Sequence, residues 1–167
     1  HYMRQMDDEA FFEASKPQMI EAGFMTGEEE GDKLAWLKKV VLTSKEHVSY
    51  AAQIPEVVAM YFHDEFSFEN EEAAAVLSEE TVPTVMNMLF ELLGQLEAVD
   101  AAGIKATFKT IQKTTKLGGK SVYMPIRVAL TGNQHGPELT EIIPLLGLER
   151  TLKRIKGSLQ KAGVTLA

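Results

Sequence analysis

The sequence predicts an all-α, multihelical protein built of two small subdomains, and three observations carry that expectation. Apolar residues recur at spacings of three and four along most of the chain, as one face of a helix requires. No stretch of useful length alternates apolar with polar residues, apart from a short candidate at Ser121-Val122-Tyr123. The charge balance also changes sharply near residue 100. Residues 1–100 carry six basic and 21 acidic side chains, a balance of −15, whereas residues 101–167 carry 11 and three, a balance of +8. The expected division is therefore an acidic helical subdomain over 1–100 and a basic one over 101–167.

The elements follow in order. Asp7-Asp8-Glu9 supplies negative charge to the first turn of a helix through Phe11, Phe12, Met19 and Ile20, which ends at Gly23. Pro17 interrupts it, giving either two pieces or one kinked helix. Thr26 to Gly31 reads as a charged loop. A second helix from about Asp32 turns Leu34, Leu37, Val40 and Val41 inward, with Trp36 beside them. Ser49 to Phe62 reads as a short helix with Pro55 near its start, followed by a turn over His63 to Asn70 and one or two helical turns over Glu71 to Leu77. Thr81-Val82-Pro83 is a start signal, because proline is tolerated in a first turn. After it Val85, Met88, Leu89, Leu92, Leu96 and Val99 form the clearest amphipathic pattern in the chain. Gly103 to Leu117 is again helical and ends at the turn Gly118-Gly119-Lys120. Met124 to Leu130 is a short element, Thr131 to Gly136 a loop, and Pro137 to Leu146 a helix that Gly147 breaks. Leu148 to Ala162 closes the pattern.

Composition narrows the function. The 167 residues are 45% apolar and 25% charged, with a net charge of −7, an ordinary soluble profile. The lack of Cys removes disulfides, thiol nucleophiles and thiolate metal sites. No apolar run approaches about 18 residues, so no membrane span is expected. The acidic start, Met6-Asp7-Asp8-Glu9, is unlike a secretion signal, and a cytoplasmic location is expected. His1, His47, His63 and His135 lack metal-binding spacing, and neither a phosphate-binding loop nor a Rossmann glycine pattern occurs. No catalytic residues and no metal site are expected in this chain.

The basic part is more informative. At about 100° per residue, Lys105, Lys109, Lys113 and Lys116 fall within an arc of roughly 80°, away from Ile104, Phe108 and Ile111. In the last helix Leu148, Leu152, Ile155, Leu159 and Ala162 share one face, with Arg150, Lys153, Arg154 and Lys161 opposite. Most lysine stripes are solvated helix faces. The scarcity of acids here favours phosphate contact, because basic side chains at helical spacing can follow a nucleic-acid backbone. The competing reading is a helical protein–protein interaction module whose acidic part docks a basic partner.

One stretch is more specific than any periodicity: Met124-Pro125-Ile126-Arg127-Val128-Ala129-Leu130-Thr131-Gly132, then Gly136-Pro137-Glu138-Leu139, then Leu146-Gly147-Leu148-Glu149-Arg150. It resembles the C-terminal anticodon-binding domain of bacterial-type glutamyl-tRNA synthetases. Tyr2-Met3-Arg4 and Ile54-Pro55-Glu56 followed by Tyr61-Phe62 resemble further segments of that family. The resemblance implies two helical subdomains that grip the anticodon arm of tRNA-Glu, with the positions of Arg127, Gly136, Pro137 and Leu139 at the anticodon bases. Arg127 suits that role chemically, since its planar cation can pair with phosphate or a base edge, or stack on a base. Pro137 would open a helix whose N-terminus favours anions. Lys105, Lys109 and Lys113 would follow the backbone. Eight residues before Pro55, many family members carry an arginine that contacts the first anticodon base. Here it is His47, which leaves open relaxed discrimination against tRNA-Gln, or another reader such as Lys45. The family's ATP-binding motifs do not occur, so the resemblance implies part of a longer, monomeric ligase. That parent would join glutamate to tRNA with ATP and Mg²⁺, while this portion would have no cofactor and no aminoacylation activity alone.

Overall fold

The computed structural model describes residues 5–166, so the Tyr2-Met3-Arg4 match lies outside the described residues. Among the described residues the regular elements are all helical and no strand occurs, in agreement with the all-α expectation. The chain forms two compact units, one ending at His63 and the other starting at Asp64.

The first unit holds α1 (Asp8–Glu21), α2 (Gly31–Thr43) and α3 (Ile54–Val58). The Asp7 side chain accepts from the Ala10 amide at 2.7 Å and starts α1. Helix α1 remains one helix across Pro17, which is exposed, so its missing N–H is lost on the solvent side. Phe11, Phe12 and Met19 of α1 bury against Leu37, Val40 and Val41 of α2 and Ile54 and Val58 of α3. Each such side chain contributes about 1.5–3 kcal/mol by leaving water. Ile20, on the same helix, is 43% exposed. Phe24 stacks on Phe62 with centroids 4.4 Å apart, and Trp36 meets Phe62 edge-on at 5.5 Å. The expected single helix over 49–62 is three short pieces, 3₁₀ turns at Ala51–Gln53 and Ala59–Tyr61 flanking α3. Two causes are visible. Pro55 sits in the first turn of α3, where its missing N–H leaves no helical hydrogen bond back to residue 51, and the Gln53 side chain folds back to accept from the amides of Ser49 at 2.6 Å and Tyr50 at 3.3 Å.

The second unit holds α4 (Glu71–Val76), α5 (Val82–Gly94), α6 (Ala101–Thr115), α7 (Gly119–Thr131), α8 (Leu139–Leu146) and α9 (Leu148–Lys161). Asn70 and Asp100 cap α4 and α6, each accepting at 2.8 Å from an amide three residues on. Helix α6 packs on α5 and α8, and α9 packs on α7 and α8. Met86, Leu89 and Leu93 from α5, Ile104 and Ile111 from α6, Ile126 and Leu130 from α7, and Ile142 and Ile155 from the last two helices are buried there.

Several boundaries differ from the sequence reading. Helix α5 stops at Gly94, so Leu96 and Val99 lie beyond it, half-buried in the turn that leads to the Asp100 cap. Helix α7 begins at Gly119 and takes in Ser121-Val122-Tyr123, which is therefore helix and not strand. Helix α8 begins at Leu139, after extended Glu138, so Pro137 does not open it. Arg154, expected on a solvated face, is 3% exposed. Most consequential, residue 100 falls inside the second compact unit, where α5 and α6 pack together across it. Residues 64–100 carry ten acids and no Lys or Arg, so the second unit holds 11 basic and 13 acidic side chains in all.

Candidate nucleic-acid interface

The expected site residues divide between the units. His47 lies in the first, exposed at the end of the 3₁₀ turn Lys45–His47, where Lys45 pairs with Asp8 at 3.2 Å. The other seven lie in the second. Lys105, Lys109 and Lys113 are all exposed on α6, whose inner face is formed by Ile104, Phe108 and Ile111, as the wheel predicted.

Helix α7 carries Arg127 half-buried, flanked by buried Ile126 and Val128. Its guanidinium donates from Nη1 to the Pro137 carbonyl at 2.8 Å and closes the loop between α7 and α8. A Cβ placed on Gly136 would lie 3.5 Å from that nitrogen, an ordinary contact, so it is the backbone, at φ +150°, that favours glycine there. Burial pulls the Arg127 pKa down from its usual value, and the carboxylate of Glu138 acts in the opposite sense. An arginine remains a cation under that pull.

Around this group lies a cleft of about 250 Å³, lined by Lys105, Phe108, Tyr123, Arg127, Glu138, Leu139 and Thr140. The fold thus brings together Lys105, Arg127 and Leu139, with Gly136 and Pro137 at the guanidinium. Lys109 and Lys113 continue outward along α6 and do not line the cleft. Two aromatic residues complete it. Tyr123 is 38% exposed and its ring leans on Phe108, with centroids 5.2 Å apart and planes tilted by 55°. An exposed ring beside a fixed guanidinium and a lysine offers what an unstacked nucleobase needs: a π-face, edge donors and a countercharge for its phosphate. Sequence reading missed Tyr123 because it placed the residue in a possible strand. Within a helix, Tyr123 and Arg127 are four residues apart and share a face, and that spacing was the available signal.

The loop itself is rigidly held. Gly132 is left-handed, with φ +80°, and its amide donates to the Val128 carbonyl at 2.8 Å. The Thr131 hydroxyl bonds the Arg127 carbonyl at 2.9 Å and accepts from the Asn133 amide at 3.1 Å. Asn133, His135 and Gly136 are exposed.

A larger open groove of about 760 Å³ runs along α9. At one end of it Asp64 accepts from Arg154, and from Arg150 beside the groove, while Lys161 donates to the Phe66 carbonyl. Among the described residues no group of three His, Asp or Glu side chains could hold a metal ion, and no helix is long and apolar enough to cross a membrane.

Comparison with known proteins places the chain in a family. The chain is 40% identical over 159 residues to a glutamate–tRNA ligase of Bacillus licheniformis, covering 95% of this chain and 33% of that protein. It is 42% identical over 159 residues to a glutamate–tRNA ligase of Desulfitobacterium hafniense, again covering 95% and 33%. It therefore spans about a third of the length of the curated relatives it matches. Among solved structures, a glutamate tRNA ligase from Elizabethkingia meningosepticum, crystallised in complex with its amino acid, superposes with a TM-score of 0.80 at 25% identity. That match covers 96% of this chain and 30% of the other. From residue 10 to residue 159 the sequence matches the family described as the anticodon binding domain, and the chain belongs to that family.

Proposed function

We propose that this chain reads the anticodon of tRNA-Glu as part of a glutamate–tRNA ligase that joins glutamate to tRNA with ATP and Mg²⁺. The observation that carries the reading is the meeting of Arg127, Tyr123, Leu139 and Lys105 in one cleft beneath a loop pinned at both ends. Such a cleft can receive a base turned out of its stack, while Lys109 and Lys113 meet the phosphates beside it. His47 stands at the position where many members of this family carry arginine, so the first anticodon base is met there either by His47, with relaxed discrimination against tRNA-Gln, or by a neighbouring reader such as Lys45. The parent acts as a monomer in the cytoplasm, and its ATP and Mg²⁺ are held outside this chain.

Binding of labelled anticodon stem-loops to the 167-residue chain tests the proposal. The tRNA-Glu stem-loop binds at low salt and weakens steeply as salt rises, and single-base changes in the anticodon weaken it further. Equal affinity for all anticodons, or no affinity at low salt, overturns the reading.

A further inference from the structure

The loop that carries Gly136 and Pro137 is held from outside by a segment that no sequence motif singled out. The Glu69 amide donates to the Gly132 carbonyl at 2.9 Å, and the Glu69 carboxylate accepts from the Gln134 amide at 2.6 Å. The same segment leaves no space at the loop's first turn. A Cβ on Gly132 would stand 2.4 Å from the Ser67 carbonyl oxygen and 2.9 Å from the Phe66 ring. Phe66 is fixed in turn by Lys161, whose ammonium donates to its carbonyl at 2.7 Å and sits 5.6 Å from its ring centroid. A continuous run of contacts therefore leads from α9 through residues 66–69 to the loop.

Glu69 is exposed. A carboxylate beside a loop that meets a polyanion opposes binding through space. Any favourable contribution must then come through its hydrogen bonds. On the reading proposed above, we infer that Glu69 is a positioning residue for anticodon discrimination. Its carboxylate fixes the Gln134 backbone, and with it the approach of the loop to the base, while its charge lowers sequence-independent attraction to phosphate. Held in one geometry, a loop loses less freedom on binding and rejects a misfitting base more strongly.

Two substitutions separate the roles. Glu69→Gln keeps an acceptor for the Gln134 amide and removes the charge, whereas Glu69→Ala removes both. Affinities of the 167-residue chain would be measured for the tRNA-Glu anticodon stem-loop and for stem-loops with single anticodon changes. E69Q is expected to bind all stem-loops a few-fold more tightly at low salt, with the ratio between matched and changed anticodons preserved. E69A is expected to lose about three- to tenfold of that ratio, the equivalent of one hydrogen bond. Amide hydrogen exchange at Gln134 supplies an independent readout, accelerated in E69A and unchanged in E69Q. If E69A fails to fold by circular dichroism, E69D, one methylene shorter, withdraws the acceptor in its place. An alanine or aspartate variant with the parent's ratio, or a glutamine variant that loses the ratio, overturns the inference alone. A parent chain that treats all anticodons equally overturns the proposed function and this inference with it.

Discussion

The guanidinium of Arg154, almost wholly buried, donates from Nε to the carboxylate of Asp64 at 3.1 Å, although the two residues are 90 apart in sequence. Arg150 donates to the same oxygen at 2.8 Å, and its hydrogen bond, ahead of that from Arg154, holds the Asp64 carboxyl below the usual carboxylate range. The start of the second unit is thereby tied to its last helix.

The sign of the pH dependence follows. A carboxylate with a depressed folded pKa stabilises the fold above its unfolded value of about 3.9, and that contribution is lost as pH falls through the lower folded value. Asp64 is 45% exposed, so solvent screening reduces the effect. Asp64→Asn should lower stability at pH 7 by about 1–2 kcal/mol, mostly by removing the Asp64 charge from beside buried Arg154. Urea titrations at pH 7 and pH 3 provide the check, and the gap between variant and parent should narrow at the lower pH.

In the cleft, Arg127→Ala removes both the clamp on Pro137 and the cation. About ten- to a hundredfold loss of stem-loop affinity is expected, from a charge-assisted hydrogen bond of about 1.5–3 kcal/mol. Arg127→Lys retains the charge without the planar fork and should recover only part of the loss. Tyr123→Phe should bind as the parent does, while Tyr123→Ala should lose about 1–3 kcal/mol, the contribution of one base stacked on an aromatic ring. Fluorescence anisotropy with short RNA reports all four. A Tyr123→Ala variant with parental affinity would show that no base rests on this ring.

Along α6, Lys105→Glu, Lys109→Glu and Lys113→Glu should each flatten the plot of log affinity against log salt. The expected change is about 0.7 units per lost phosphate contact for single-stranded RNA. Lys39→Glu, on an exposed position of the first unit, should leave the slope as it was. Similar slopes for both sets would place the phosphate track elsewhere.

Two glycines are expected to respond oppositely to alanine. Gly132 combines φ +80° with a carbonyl oxygen 2.4 Å from any Cβ, so Gly132→Ala should destabilise by about 2–4 kcal/mol. Gly157 lies within α9 with nothing within 4 Å of a Cβ, so Gly157→Ala should stabilise by about 0.5–1 kcal/mol. Thermal melts of the two variants distinguish them directly.

Helix periodicity made the long helices legible, because α1, α2, α6 and α9 bury one face each and expose the other. It failed where local chemistry intervened. The fold-back of Gln53 and the extended backbone at Glu138 are side-chain and turn effects that spacing does not encode. Arg127, Gly136, Pro137 and Leu139 were legible through a motif, and the fold does gather them. Tyr123 was hidden by a wrong period, and Glu69 lies 65 residues from the amide it holds, beyond any local pattern. Arg154 was misread for the same reason, since the carboxylate that pairs with it in its buried position, Asp64, lies at the far end of the unit.

The division at residue 64 changes what the charge asymmetry does. The second unit holds 13 acidic and 11 basic side chains, a balance of −2, so it has almost no monopole to present to a distant polyanion. On the proposed reading, its attraction to phosphate is confined to the exposed lysines and Arg127, within the Debye length of about 8 Å at physiological ionic strength. Long-range capture, which would gather any nucleic acid regardless of sequence, is weak by construction. On the proposed reading, recognition is deferred until surfaces meet, where shape and base chemistry decide the outcome.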